Sequence, residues 1–382
     1  MKTIAIIGAG ISGLYLANLF KDNENYQVTV YEKKSSIEIS EGYGIQLSVN
    51  SINLLNQIGF NSLTDEDKFN PKKIDFYEIK NSKKICDLDI SKFNLENSKY
   101  TTIKRLKLLQ FLRNRLKAGS IRYNCNINKI VNEKDLIDVI FDNGEKKTHD
   151  YLVISDGVFS KSKSLILKNK SEAIYNTSIA IRGNISQDNL QNINGDNISL
   201  FLGSDFHYVI YPLDKSKNFN FIGILKHKLT LKEQKNYNLF GENNFIDSIT
   251  NKFSQKISPM IFKSIQDIKL FPVFVSKNIC RSPKNIFLLG DAFFAFPPSF
   301  AQGASQSIEG AMELYQSILN NNNNFFNIRV KRVKMIYRRS YFNQFAFHVS
   351  NPVMIFFRNI ILKFLSKNKN FLEIYLGKIY KN

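Results

Sequence analysis

The sequence predicts an α/β fold: a Rossmann-like, mainly parallel sheet, accompanied by a second, antiparallel-sheet domain and by C-terminal helices. Three observations predict it. The β-branched apolar run Thr3-Ile4-Ala5-Ile6-Ile7 leads directly into Gly8-Ala9-Gly10-Ile11-Ser12-Gly13. A second strand-to-glycine junction, Ile286-Phe287-Leu288-Leu289 into Gly290-Asp291-Ala292, lies far downstream. Between them, segments such as Ile179-Ala180-Ile181-Arg182-Gly183 and Phe206-His207-Tyr208-Val209-Ile210-Tyr211-Pro212 read as strands of an antiparallel sheet.

Taken in order, Thr3 to Ile7 reads as a central strand buried on both faces. Ile11, Leu14, Tyr15, Leu16, Leu19 and Phe20 recur near helical spacing, and Val28-Thr29-Val30-Tyr31 closes a βαβ unit. In this arrangement Gly8 permits a tight turn, Gly10 lets a pyrophosphate approach the backbone, and Gly13 lets the helix pack closely on the strand. The helix N-terminus, starting at Ile11 and Ser12, offers unpaired N–H groups to a dianion. Glu32 ends the second strand, followed by Lys33, and its carboxylate suits ribose hydroxyls while disfavouring a 2′-phosphate.

The middle of the chain predicts a hairpin at Asp142-Asn143-Gly144, after the alternating Ile137-Asp138-Val139-Ile140-Phe141. A further buried strand, Tyr151-Leu152-Val153-Ile154-Ser155, ends at Asp156-Gly157. Carboxyl ends of such strands form the ligand crevice of open α/β sheets, so three strand ends are expected to converge on one dinucleotide. After Asp291, Pro297-Pro298 interrupts regular structure. Ala301-Gln302-Gly303-Ala304 makes a small-residue turn, and a helix with Ile308, Ala311, Met312 and Tyr315 on one face starts near Gly303. Its N-terminus would meet the ligand from the side opposite the first helix. The expected division is 1–70, 96–170 and 280–324 for the nucleotide domain, 71–95 and 171–279 for the substrate domain, and 325–382 for a basic helical segment.

Composition sets the surroundings. With 382 residues, 43% of them hydrophobic, the chain can bury substantial cores. Cys86, Cys125 and Cys280 are odd in number and lack metal or disulfide spacing, and a strand stands where a leader would be, which points to a reducing, cytoplasmic setting. His149, His207, His227 and His348 are scattered without ligand spacing, so no metal is expected. Net charge is +20. Arg329-Val330-Lys331-Arg332-Val333-Lys334 and Arg338-Arg339 precede the apolar stretch from Pro352 to Leu365, which is too short to span a bilayer. The tail reads as a docking helix with its charged face solvated, a peripheral contact with the inner face of a membrane being the alternative. Nucleic acid fits the charge but leaves the strand-end motifs unexplained.

These residues together resemble the class A flavoprotein monooxygenases, the fold of para-hydroxybenzoate hydroxylase, over essentially the whole chain. Gln302-Gly303-Ala304-Ser305-Gln306-Ser307-Ile308-Glu309 is most similar to the branch of salicylate hydroxylase, 3-hydroxybenzoate 6-hydroxylase and zeaxanthin epoxidase. Gly42-Tyr43-Gly44-Ile45-Gln46-Leu47 and the helix opened by Arg105-Leu106-Lys107-Leu108 also match family segments. The resemblance implies an FAD-binding domain in which Arg105 contacts FAD, Asp291 meets the ribityl chain, and Asp156-Gly157 serves both FAD and the electron donor. It also implies NADH or NADPH bound transiently, molecular oxygen added at the flavin C4a carbon as a hydroperoxide, and hydroxylation of a small phenolic or hydroxybenzoate-like substrate by a monomer or homodimer. The chain departs from the family at Ala292-Phe293-Phe294, where Ala-Ala-His is usual, at Gly310, where Asp is usual, and at Lys163, where a point charge replaces a bidentate arginine.

Arg182, His207, Tyr208, Tyr211 and Pro298 are the candidate substrate-pocket residues, all but Tyr208 as catalytic candidates. His207 has an unperturbed pKa suited to taking a phenol proton near neutrality. The alternative function is an FAD-dependent oxidoreductase or hydroxylase acting on a prenylated or quinone-precursor substrate at a membrane surface, to which the basic, apolar tail points.

Overall fold

The computed structural model describes residues 1–36, 43–133, 135–167, 173–186, 190, 193–322 and 324–381. At its centre lies a five-stranded parallel sheet in the order Ile286–Leu288, Tyr151–Ile154, Lys2–Ile7, Tyr26–Tyr31, Ile121–Arg122. Lys2–Ile7 is the middle strand, and covering both its faces buries Ile4, Ala5 and Ile6 completely. The helices Ile11–Phe20 and Gly303–Leu319 pack on each other, and Phe20 wedges edge-on against Tyr315 with ring centroids 4.7 Å apart. Phe20 is fully buried, and a large side chain so placed stabilises the fold by roughly 1.5–3 kcal/mol.

A small antiparallel sheet, Ile127–Glu133, Leu136–Phe141 and Lys146–His149, follows, its second turn set by Gly144 at φ +81°. The larger second sheet has seven strands, ordered Ile265–Ser276, Ala173–Ile185, Phe219–Lys226, Phe206–Pro212, Ile198–Gly203, Lys73–Glu78, Lys84–Asp89. It is antiparallel except where Ile198–Gly203 meets Lys73–Glu78, a parallel pair. That pair joins chain segments far apart in sequence, so no hairpin fixes their direction. A third antiparallel sheet pairs Thr101–Lys104 with Gly44–Leu47 and with Lys68–Phe69.

The C-terminal segment is not an accessory. The helix Phe325–Phe347 is held to Gly303–Leu319 by a buried ion cluster in which Glu309 accepts hydrogen bonds from Arg329 (3.1 Å), Arg332 (2.6 and 2.8 Å) and Asn50 (2.7 Å). Burial alone would raise the Glu309 carboxyl, and the two guanidiniums overcome that effect and hold it below its usual value. Two cations of the basic run are thus structural. The helix Pro352–Leu365 is capped by Asn351, whose side chain accepts from the Val353 and Met354 N–H groups, with proline at its first position. Its orientation meets the expected solvated charged face only in part: Lys363 is exposed, but Arg358 is turned inward. Arg358 is 8% exposed and bonds inward to Asn359 and Ala346, and Asn359 donates to Glu78. Its apolar residues face out, Phe356 and Phe364 being 62% and 68% exposed. Periodicity marks two faces of a helix, but the inward one here is chosen by hydrogen-bond partners.

Candidate active site

The glycine positions of the first loop do distinct physical work. Gly8 has φ +99°, and a Cβ on it would lie 2.8 Å from the Ser155 carbonyl oxygen. A Cβ on Gly13 would overlap the Gly8 carbonyl oxygen and sit 2.7 Å from Ser155 Oγ, so the Ile11–Phe20 helix approaches as closely as it does only because residue 13 is glycine. Gly10, by contrast, faces open space. Glu32, at the end of the second strand, accepts from the Ala9 N–H (2.9 Å) and the Lys34 N–H (3.0 Å) and so ties the loop to the strand end; Lys33 beside it is exposed.

The downstream motif closes onto the same place. Gly290 adopts φ +60°, and a Cβ there would stand 2.7 Å from Ser12 Oγ, so the two distant glycine loops touch. Asp291 opens a short helix, and its side chain stands open to the central cavity; the protein atoms crowded around it raise its carboxyl above the usual range, and the Arg105 guanidinium works against the shift. Arg105 starts the helix Arg105–Asn114, its N–H donating to the Tyr43 carbonyl. Asp156 uses Oδ2 to accept from the Ser162 N–H at 3.3 Å, while its buried Oδ1 has no hydrogen-bond partner, and Gly157 follows at φ +88° with open space beside it. Buried Gln302, with Nε2 also unpartnered, precedes Gly303, where a Cβ would again meet nothing. Neither the Ile11–Phe20 nor the Gly303–Leu319 helix has a side-chain cap at its N-terminus.

These features fit an extended dinucleotide. Gly10, Ile11, Ser12 and Gly13 would cradle the pyrophosphate, Glu32 would lie at the adenosine end, and Asp156, Arg105, Asp291, Gln302, Gly303 and Ala304 would line its further course. Uncapped N–H groups and buried polar atoms without partners are costly unless a ligand satisfies them.

Beside this cradle lies a mainly apolar cavity of about 450 Å³. Arg182, His207, Tyr211 and Pro298 all line it, together with Asp291, Gly303 and Ala304. On Phe206–Pro212 strand alternation puts His207, Val209 and Tyr211 toward the cavity. Tyr208 faces the opposite core, stacked on Phe201 at 4.4 Å, and is therefore not a pocket residue. Arg182 lies over the Tyr43 ring at 5.7 Å, and Nη1 donates to the Gly44 carbonyl at 3.4 Å. Gly44 itself abuts Leu213, Tyr211 and Asn220, whose Oδ1 accepts from its N–H at 2.6 Å. Gly42 lies outside the described residues.

His207 departs from the sequence expectation. Its Nδ1 lies 2.7 Å from His348 Nε2, and burial followed by the neighbouring His348 holds it well below the ordinary histidine range. His348 is pushed down to about 4, chiefly by burial. The pair is neutral at pH 7, so His207 can accept or donate a hydrogen bond but is a weak base. Lys163 is also buried, which depresses its ammonium, with Cys280 and then Asp156 opposing. Sequence reasoning missed the far wall, where Leu362, Phe371, Tyr375 and Tyr380 of the C-terminal segment join Gln46 and Tyr100 in the lining.

A family model described as FAD binding domain matches residues 1–323. The chain belongs to that family. It is an FAD-dependent monooxygenase of the class A architecture, and FAD is its cofactor. The 6-methylsalicylate 1-monooxygenase of Aspergillus terreus is 25% identical over 342 residues, 82% of this chain and 73% of that protein. In fold, the chain is similar to Klebsiella pneumoniae HpxO complexed with FAD and uric acid, with a TM-score of 0.81 and 17% identity over 95% of this chain and 92% of the other. A salicylate hydroxylase in a substrate complex aligns over 100% of this chain and 95% of its own, with a TM-score of 0.80 and 16% identity, so the likeness extends past the family match into the C-terminal helices.

Proposed function

We propose that this monooxygenase hydroxylates a small, flat aromatic substrate, with FAD reduced by NADH or NADPH supplying the oxygen-inserting chemistry. One observation carries the reading: the FAD-side residues Asp291, Gly303 and Ala304 and the roof residues Arg182, His207 and Tyr211 line one continuous, mainly apolar cavity. Such a cavity holds a ring by contact and orients it by a few polar groups. Arg182 supplies a permanent cation for a carboxylate or phenolate oxygen. His207, neutral and backed by His348, supplies a hydrogen-bonding nitrogen, and Tyr211 a hydroxyl. The apolar walls exclude water, which protects the oxidising species from unproductive loss. That the 6-methylsalicylate and salicylate enzymes among its relatives act on compact aromatics supports the same substrate class.

The experiment is NADH and NADPH oxidation by the purified yellow protein across hydroxybenzoates, salicylates and other phenols, with labelled dioxygen traced into product by mass spectrometry. A substrate-stimulated rate with label in the ring is expected. FAD-loaded protein that no aromatic stimulates would overturn the reading. A prenylated or quinone-precursor substrate is the second reading, favoured by the apolar continuation of the cavity along Leu362, Leu365 and Phe371.

A further inference from the structure

The helix Pro352–Leu365 is inside out by the standards of a water-facing helix. Two of its three polar residues are committed inward: Arg358 and Asn359 bond to each other and to the body, Asn359 through Glu78. Its outer surface carries Val353, Phe356, Phe357, Ile360, Ile361 and Phe364, each between 47% and 68% exposed. A contiguous apolar face of this kind on an ordered, capped helix marks a docking surface, since single exposed apolar residues are ordinary but a full helical stripe is not.

The charge around the face identifies the occupant. Lys363 stands exposed within the helix, and Lys367 and Lys369 are exposed just beyond its end. From Phe325 to Asn382 the chain has twelve Lys or Arg and one acid, Glu373, a balance of +11; Arg329, Arg332 and Arg358 are held inward, while Lys331, Lys334, Arg338, Lys363, Lys367, Lys369, Lys378 and Lys381 stand exposed. A second copy docked face to face would bring two such balances together, and like charges would oppose the contact. Anionic head groups complement the same charge, while the phenylalanines and isoleucines enter the acyl boundary. No helix among the described residues is long and apolar enough to cross a membrane, and at 14 residues this one can lie in the interface but not span it.

We propose that Pro352–Leu365 is a membrane-docking helix that seats the enzyme on an anionic lipid surface. Its inner side, through Leu362 and Leu365, is part of the cavity wall, so docking places the substrate cavity directly beneath the lipid contact.

The chain contains no tryptophan, so Phe356→Trp introduces a lone reporter on the face. The full-length, FAD-loaded variant is titrated with vesicles of phosphatidylcholine alone or mixed with phosphatidylglycerol, at low and high salt. The expected result is a blue-shifted emission, quenched by brominated lipid, with mixed vesicles at low salt. Affinity should be about tenfold weaker for the neutral vesicles or at high salt. Co-sedimentation of otherwise native protein should fall by about tenfold or more in Phe357→Ser/Phe364→Ser, and severalfold in Lys363→Glu/Lys367→Glu, with the flavin spectrum unchanged in both. The charge variant leaves the apolar face intact and serves as the test if the double serine variant does not fold. Absence of vesicle binding overturns the proposal, as does binding indifferent to all these changes. So does a dimer in sedimentation velocity that Phe356→Trp emission reports without lipid.

Discussion

The cavity has two unlike walls. On the cofactor side the wall is backbone: Gly303 at the cavity and, in the cradle beside it, Gly8, Gly10, Gly13 and Gly290 present main chain and helix ends; conformation or close approach bars a Cβ at Gly8, Gly13 and Gly290, while Gly10 and Gly303 leave open space. On the substrate side the wall is side chains, contributed by Phe206–Pro212, Ala173–Ile185 and the C-terminal helices. A backbone wall is intolerant of single changes and indifferent to which aromatic is bound. A side-chain wall can be resurfaced residue by residue, and that is where substrate preference is set.

The largest effect that tests this contrast comes from paired alanine substitutions. Gly13→Ala drives a methyl group into the Gly8 carbonyl and Ser155 Oγ, between backbone elements that have no room to yield. The protein should lose about 3 kcal/mol or more of stability and purify without flavin. Gly10 has φ −83°, which alanine tolerates, and open space beside it. Gly10→Ala should keep the apoprotein within about 0.5 kcal/mol of native stability while weakening FAD binding about tenfold or more, because its methyl stands where the pyrophosphate approaches. Denaturant unfolding of the apoproteins and flavin absorbance after gel filtration separate the two outcomes. Equal losses in both variants would show that the loop is a structural turn and not a cradle.

The two walls should also titrate in opposite directions. His348, behind the substrate wall, has its pKa lowered to about 4 by burial, with His207 lowered beside it. The unfolded chain therefore binds more protons than the native one between about pH 6.5 and 4. Stability is fully present above 6.5 and is lost as pH falls, by about 3 kcal/mol for His348 at pH 4. Urea midpoints of the native protein against His348→Asn across this window test it, the variant showing a shallower slope.

Glu313, on the helix that carries the cofactor wall, is raised to about 7 by burial, because Glu309 takes the aligned hydrogen bonds of Arg329 and Arg332 and leaves Glu313 a 3.2 Å contact without hydrogen-bond geometry. Here the native state binds more protons between about pH 4.5 and 7, so stability falls as pH rises through that range. Glu313→Gln should therefore be more stable than the native protein above pH 7 by about 2 kcal/mol, with the difference shrinking toward pH 5. A pH-independent difference would locate the effect in packing instead.

The same contrast explains what could be read from the residues alone. Gly8, Gly10, Gly13 and Glu32 belong to a local unit whose backbone geometry fixes both spacing and residue type, and the strand ends at Asp156 and Asp291 follow from parallel-sheet topology. His207 and Tyr208 are adjacent on one strand; alternation says that they point apart, but only the packing of Phe201 and Phe221 around Tyr208 decides which faces the cavity. The neutral state of His207 depends on His348, brought in by a turn 141 residues away in sequence. Arg329 and Arg332 look like part of a solvated basic run until Glu309 is seen between them. For Pro352–Leu365 the usual inference from periodicity, apolar side inward, gives the wrong face, because Glu78 recruits the polar side.

Tyr375 gives the smallest effect and the sharpest check on the substrate wall. Its ring stacks on Phe371 at 5.1 Å beneath the Arg339 guanidinium, and its hydroxyl donates to Asn343 Oδ1 at 2.6 Å while the residue lines the cavity. Tyr375→Phe keeps the ring contacts and removes one hydrogen bond, leaving a partly buried acceptor that water can reach. Stability should fall by about 1 kcal/mol, with FAD affinity unchanged. If the C-terminal wall is built by side-chain contact, the apparent KM for an aromatic substrate should shift in this variant while kcat is retained. A loss of flavin from Tyr375→Phe would show instead that the two walls are coupled, and that the C-terminal helices hold the cofactor as well as the substrate.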